Sequence, residues 1–246
     1  MEDILSPDNA GASPAECVAC ALAQYTVYSP TLSADPIGLA NVRKETRKYG
    51  SQKTILREGE VPDSISTLKS GWAFRFGRLP NGRRQIYSFL IPGDIVTPES
   101  LWRTPYPLPF SIKALNRVEL CSFNRRAFRA ALSTSESQEQ RLARMAQGYF
   151  GNIYRRFADL GRRSAGGRLA QLILEFERRL RHRGLTRGRT FDFPLRQDHL
   201  ADALGLAPEY TSRTLMTFRK EGLIQLERQQ LTILNIEALR EIAEDE

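Results

Sequence analysis

Two groups of residues in this chain have types and spacings that could do chemistry. The stretch "APEYTSRTLMTFRKEGLI", residues 207–224, carries Glu209, Ser212 and Arg213 beside the apolar Leu215, Phe218 and Leu223. An arginine can donate two bonds to guanine N7 and O6, a glutamate can accept from the cytosine N4 amino group, and a serine can approach a base edge or a phosphate. The same residues would also suit the solvent face of an ordinary amphipathic helix. The second group is sulfur. Cys17 and Cys20 form C-x-x-C near the N-terminus, and Cys121 lies in "VELCSF". Thiolates so arranged can hold a metal or a redox pair, but an isolated cysteine in a strand is commonly a small apolar core residue. The elements that position these groups must decide between the readings.

Around the first group the spacing is that of a helix-turn-helix. In "RQDHLADALGLAPEYTSRTLMTFRKEGLI" Gln197 opens a short helix, and Ala201 follows four residues later, where two crossing helices tolerate little bulk. Gly205 comes four residues after that, at a tight turn that calls for positive φ. Pro208 suits the first turn of the second helix, where its missing N–H costs nothing. Leu200, Leu204, Leu206, Leu215 and Phe218 supply a shared core. Gly222 ends the second helix, and "IQLERQQLTIL" reads as a β-hairpin, the wing of a winged helix. His199 is expected at the surface or the edge of the core.

The remaining chain divides by texture. Residues 1–14 are rich in Ser, Pro, Gly and Asp, as in a mobile terminus. A helix is expected over 37–48, with Ile37, Leu39 and Val42 as weak apolar markers. Between about 50 and 124, Gly and Pro recur every ten residues or so among short β-favouring runs, which argues for a small barrel or sandwich. "WAFRFGRL" should place Trp72, Phe74 and Phe76 on one face and Ala73, Arg75 and Gly77 on the other, and Pro80-Asn81-Gly82 should turn a hairpin. The period then becomes helical. Leu142, Met145, Tyr149, Ile153, Phe157 and Leu160 form one stripe on a helix of about six turns, able to pack on its own domain or on a second copy. Gly161 should break that helix, with "RRSAGG" as a connection to a further helix from about Arg168.

Composition narrows the function classes. The 246 residues carry 36 Lys and Arg against 28 Asp and Glu, a net charge of +8. Residues 155–189 hold eleven Arg against Asp159, Glu175 and Glu177, so that stretch alone carries +8. Beside a helix-turn-helix, such a run suggests a phosphate-facing surface. Three cysteines exclude a disulfide scaffold. No window approaches eighteen apolar residues, and the N-terminus lacks the segments of a signal peptide, so a cytoplasmic protein is expected. The chain shows no phosphate loop, H-E-x-x-H or G-x-S-x-G, and an enzyme is not expected.

The "GEVPDSISTLKSGW" and "GRRQIYSFLIPGDIV" segments, the long helix and the winged helix-turn-helix together resemble the CRP/FNR superfamily over about residues 50–234. The resemblance implies an α+β chain with an N-terminal β-roll sensor of the cyclic-nucleotide-binding type, a long dimerisation helix and a C-terminal winged helix-turn-helix. The corresponding boundaries are 1–36 for an N-terminal extension with the C-x-x-C, 37–134 for the β-roll, 135–161 for the dimerisation helix and 162–246 for the DNA-binding domain. It turns the stripe from Leu142 to Leu160 towards a subunit interface. It also implies a homodimer on palindromic double-stranded DNA, working with RNA polymerase. Glu209, Ser212 and Arg213 match the E-x-x-S-R pattern of the FNR branch and become base contacts to a TTGA-type half-site. Gln197, Thr211, Arg219 and Lys220 become candidate backbone contacts.

The signal is less legible. Cyclic-nucleotide members grip the phosphate with a Gly-Glu start and an Arg-Ser pair. Here Asp94 replaces the Glu, Leu108-Pro109 stand in the Arg-Ser place, and Arg103 lies out of frame, so cyclic AMP is disfavoured. His182 and His199, the two histidines, lie outside the β domain, which disfavours His-ligated haem. The FNR oxygen sensors use four cysteines for an iron–sulfur cluster. Cys17, Cys20 and Cys121 supply three, with Thr26 near the place of the missing one, and leave the fourth ligand to a donor such as Asp35. The cysteines thus lean to a metal or redox role, with an iron–sulfur cluster as the candidate cofactor.

Overall fold

The structure, a computed structural model, describes Cys20 and residues 43–101, 107–132 and 136–244. Its contacts divide the chain into two compact units. One comprises Met1–Arg78 with Tyr87–Gln147, the other Leu79–Ile86 with Gly148–Glu246.

The first unit is built from two antiparallel sheets. Strands β1 (Arg43–Tyr49), β7 (Val118–Asn124) and β3 (Ser64–Ser70) form one, in the order β1-β7-β3. Strands β2 (Thr54–Leu56), β6 (Ser111–Ala114), β4 (Ala73–Arg78) and β5 (Arg84–Leu90) form the other, in the order β2-β6-β4-β5, and β5 belongs to this unit from Tyr87 onward. Leu68, Ala73, Leu90, Val96, Leu108, Ile112, Val118 and Leu120 belong to its buried core. Gly71, between β3 and β4, has φ +81°, and a Cβ there would lie 2.1 Å from the Arg117 carbonyl, so both conformation and space demand glycine. Asn81-Gly82 turns the β4–β5 hairpin, with Gly82 at φ +79° and Asn81 Oδ1 accepting from the Arg83 N–H.

One local expectation is corrected. Residues 43–48, expected as part of a helix, lie in β1, paired with β7 from Arg43 opposite Phe123 to Tyr49 opposite Val118. A partner some seventy residues away outweighs the weak local helical signal; Ile37, Leu39 and Val42 lie outside the described residues. Strand β4 is buried on both of its faces: Ala73 and Arg75 are as inaccessible as Trp72 and Phe74. Arg75 is accommodated there by donating to the Ile95 and Val96 carbonyls and to Ser88, with its guanidinium over the Phe110 ring.

Helix α1 (Arg125–Leu132) follows β7, and the long helix α2 (Glu136–Arg162) follows in turn. Gly161 lies inside α2 and does not end it. The chain restarts at once as α3 (Ala165–His182), where Ser164 Oγ accepts from the Gly167 N–H at 2.9 Å. "RRSAGG" is therefore a helix cap and first turn, with the serine satisfying an otherwise open N–H.

The second unit also contains β8 (Thr190–Asp192), α4 (Gln197–Leu204), α5 (Pro208–Lys220), β9 (Ile224–Glu227), β10 (Gln230–Ile233) and α6 (Ile236–Glu244). The wing is a three-stranded sheet in the order β8-β10-β9. Leu169, Leu172, Ile173, Phe176 and Leu180 of α3 are buried as their spacing requires. Phe176, Phe191 and Phe193 meet edge to face, at 6.0 and 6.3 Å between centroids. The wing's two-residue turn places Arg228 at φ +47° and Gln229 at φ +62°.

Candidate nucleic-acid interface

Helix α4 sets the frame of the site. The Arg196 N–H donates to His199 Nδ1 at 3.2 Å, so His199 closes the first turn of the helix. His199 was expected at the surface or the edge of the core, and it is buried at 1 % exposure. Burial, reinforced by the Arg196 and Arg84 cations and opposed by Asp198, pushes its pKa down to about 4. The sign follows from proton uptake: the unfolded chain takes up a proton near pH 6.5, the folded one near 4. Stability is complete above about pH 6.5 and falls by as much as ~3 kcal/mol as the pH drops to 4. Urea unfolding at pH 7 and pH 4.5 should show this loss, and His199→Gln, which keeps an acceptor for the Arg196 N–H, should flatten it. An unchanged pH slope in the variant would contradict the assignment.

Gly205 ends α4 in the left-handed region, at φ +63° and ψ +37°. A Cβ there would meet nothing nearer than Leu160 Cδ2 at 3.5 Å, so the glycine serves the backbone conformation rather than close packing. Pro208 occupies the first turn of α5, as its fixed φ suits. Thr211, Leu215 and Phe218 then anchor α5 inwards.

Glu209, Tyr210, Arg213 and Met216 of α5 are exposed, and Ser212 is half-buried. The Arg213 guanidinium lies over the Tyr210 ring, 5.2 Å from its centroid. Gln197 is exposed at the start of α4, and Arg219 and Lys220 at the end of α5. Gln197, Ser212, Met216, Arg219 and Leu226 line a notch of about 400 Å³ beside the helix. Thr211 is a correction. Its side chain is wholly buried and its hydroxyl donates to the Ala207 carbonyl at 3.2 Å, so it cannot also reach a DNA backbone. Its position four residues before Leu215 was the available signal. Tyr210 and Met216 were not singled out from the sequence, although both lie off the Leu215–Phe218 stripe.

The arginine run also divides. Arg156 and Arg179 pair with Glu175, Arg181 pairs with Glu177, and Arg168 donates to the Leu204 carbonyl at the end of α4. Those four have partners within the domain; Arg155, Arg162, Arg178, Arg181 and Arg187 are exposed.

On α2, Phe150, Tyr154 and Phe157 are exposed at positions four and three apart, and Phe157 is 71 % exposed. Ile153 is half-buried, and Leu160 lies beside the Gly205 turn. Leu142, Met145 and Tyr149 lie on α2, with side chains outside the described residues. The apolar face thus includes Phe150 and Tyr154, which the expected stripe omitted.

In the first unit, Asp94 Oδ2 accepts from the Ile91 N–H at 2.9 Å, closing a turn. Leu108, in the place of a phosphate-gripping arginine, is 1 % exposed within the core. Cys121 is a half-buried thiol on β7, opposite Thr46 and Thr67, and Cys20 is likewise half-buried. Among the described residues no three His, Cys, Asp or Glu side chains gather into a metal-binding group. Cys17, Thr26, Asp35 and Arg103 lie outside the described residues.

Residues 167–242 match the Crp-like helix-turn-helix domain, and residues 46–135 the cyclic nucleotide-binding domain. The transcriptional activatory protein AadR of Rhodopseudomonas palustris is 34 % identical over 183 residues, covering 72 % of each chain. The chain belongs to the CRP/FNR superfamily. Within the superfamily it falls in the FNR-like branch. The transcriptional activator protein FnrL of Cereibacter sphaeroides is 28 % identical over 194 residues, 78 % of this chain and 77 % of that one. Among solved structures, FixK2 of Bradyrhizobium japonicum shares the fold at a TM-score of 0.72 and 22 % identity, covering 82 % of this chain and 98 % of that one. The architecture is that of CRP/FNR proteins: an N-terminal β-rich domain of the cyclic-nucleotide-binding type, helices and a C-terminal helix-turn-helix. The chain is a DNA-binding transcriptional regulator of this superfamily. No helix of the described residues is long and apolar enough to cross a membrane.

Proposed function

We propose that this CRP/FNR regulator binds, as a homodimer, a palindromic promoter site with TTGA-type half-sites, under control of a signal received by its N-terminal unit. The observation carrying the reading is the division of α5. Leu215 and Phe218 anchor it, while Glu209, Arg213 and part of Ser212 are left to solvent near its N-terminal end, the part of a recognition helix that enters the major groove. Arg213 reads the guanine and Glu209 the cytosine opposite it or beside it. Gln197, Arg219 and Lys220 serve the phosphates. The exposed apolar face of α2 joins the two copies, so that two recognition helices meet two half-sites. The protein acts in the cytoplasm with RNA polymerase and is not an enzyme.

The test is a titration against a duplex carrying the TTGA palindrome and against the same duplex with scrambled half-sites. The reading requires a clear preference for the palindrome. Equal affinity for both duplexes would remove it.

For the signal, Asp94 and Leu108 speak against cyclic AMP: one is used in a turn, and the other puts an apolar side chain where a phosphate needs a cation. A redox or oxygen signal at Cys17, Cys20 and Cys121 remains the reading of the thiols, and a small-molecule effector is the other. Three thiolates are one short of a cluster's usual set, and the described residues provide no ready metal group. Anaerobic purification with iron and sulfide assays separates the two. Stoichiometric iron and sulfide with an air-bleached visible band support a cluster, and their absence moves the signal elsewhere.

A further inference from the structure

The exposed tyrosine on α5 has no evident part in the core. Tyr210 is 51 % exposed, one residue beyond Glu209 and three before Arg213. Glu209 and Arg213 stand four apart with the acid on the N-terminal side, the arrangement that most favours an ion pair on a helix surface. Among the described residues neither takes part in an ion pair. Arg213 instead lies over the Tyr210 ring, its guanidinium carbon 5.2 Å from the centroid.

We propose that Tyr210 is a positioning residue for DNA reading: its ring draws the Arg213 guanidinium away from Glu209 and keeps both groups free for base edges. The inference rests on the reading of Glu209 and Arg213 as base contacts. An internal Glu209–Arg213 pair would occupy the acceptor meant for a cytosine amino group and the donors meant for a guanine. Each would have to be released before recognition. An aromatic face holds a guanidinium without consuming its N–H donors, which lie in the plane of the group. Arg213 can therefore stay on Tyr210 while its edge engages guanine N7 and O6.

The effect should be moderate and specific. Tyr210→Ala should reduce discrimination at the guanine by about two- to five-fold, the range of an exposed cation–π contact. Tyr210→Phe should retain it, and Tyr210→Leu, apolar but not aromatic, should behave like Ala. A second readout needs no DNA. In the free protein, the ring-current shift that the Tyr210 face imposes on the Arg213 side-chain protons should vanish in Tyr210→Ala and Tyr210→Leu and persist in Tyr210→Phe. A merely structural tyrosine would move neither readout selectively.

Arg213→Ala is the control for the underlying reading. If that variant keeps full guanine preference, the base-contact assignment fails and the inference with it. If Arg213→Ala loses preference while Tyr210→Ala keeps both preference and the Arg213 proton shifts, the positioning role alone is overturned.

Discussion

Arg213→Ala is expected to remain folded, to keep its affinity for non-specific duplex, and to lose discrimination at the guanine of each half-site. A bidentate arginine–guanine contact is worth about 1–3 kcal/mol against the wrong base, roughly 5- to 150-fold. A two-fold palindrome presents the contact twice, so the loss should be felt in both halves. The residue is exposed on α5 and lies over the Tyr210 ring, away from the Leu215–Phe218 anchor, so little stability should change. Competition titrations with single-base variants of the palindrome check the prediction. The informative comparison is Lys220→Ala. Loss of a phosphate contact should weaken every sequence alike and shallow the salt dependence by about one unit. If Arg213→Ala behaved in that uniform way, the side chain would be a backbone contact and the half-site assignment would fall.

Phe157→Asp is expected to give a monomer with greatly weakened binding to the palindrome. Among the described residues, Phe157 is the most exposed large apolar side chain on α2, on a face shared with Phe150 and Tyr154. Burying an aromatic side chain of this kind contributes about 2–3 kcal/mol, and a two-fold interface repeats every contact. An unpaired carboxylate there would meet its own copy or its copy's apolar neighbours, at a cost of several kcal/mol. Losing the second half-site removes the gain from simultaneous engagement, on the order of 10²- to 10⁴-fold in affinity. Sedimentation at micromolar concentration and a palindrome titration measure the two effects. A wild-type chain that is already monomeric while binding the palindrome at full affinity would show that α2 has another role.

The reader domain was legible in the sequence because its logic is local. Gln197, Ala201, Gly205 and Pro208 each answer a backbone demand within one turn of helix or loop, and the structure finds Gly205 at positive φ and Pro208 in the first turn. Where a long-range partner decides, local pattern failed. Arg43–Tyr49 carries no strong strand signature and becomes β1 because β7 supplies its ladder. His199 shows the same limit at the scale of one side chain. Its helix position was readable, but its burial depends on the elements packed around α4. On α2, Phe150 and Tyr154 are exposed apolar side chains outside the expected stripe, because a single period read from sequence picks one row of a helix face and passes over its neighbours. The candidate signal site is hardest to read for a different reason. Three cysteines distributed between an N-terminal segment and a strand define no geometry by spacing alone.

The wing turn carries a consequence for how the domain distributes its stability. Two-residue hairpin loops with both residues at positive φ favour Asn-Gly, since other side chains are strained there by roughly 1 kcal/mol or more. This turn uses Arg228 and Gln229. The hairpin therefore trades ease of folding at its tip for length and charge: a cation and an amide project where a glycine would offer bare backbone. A sequence selected for rigidity alone would not be expected to make that exchange, and it leaves the wing with a longer side-chain reach at its tip than its short strands would otherwise have.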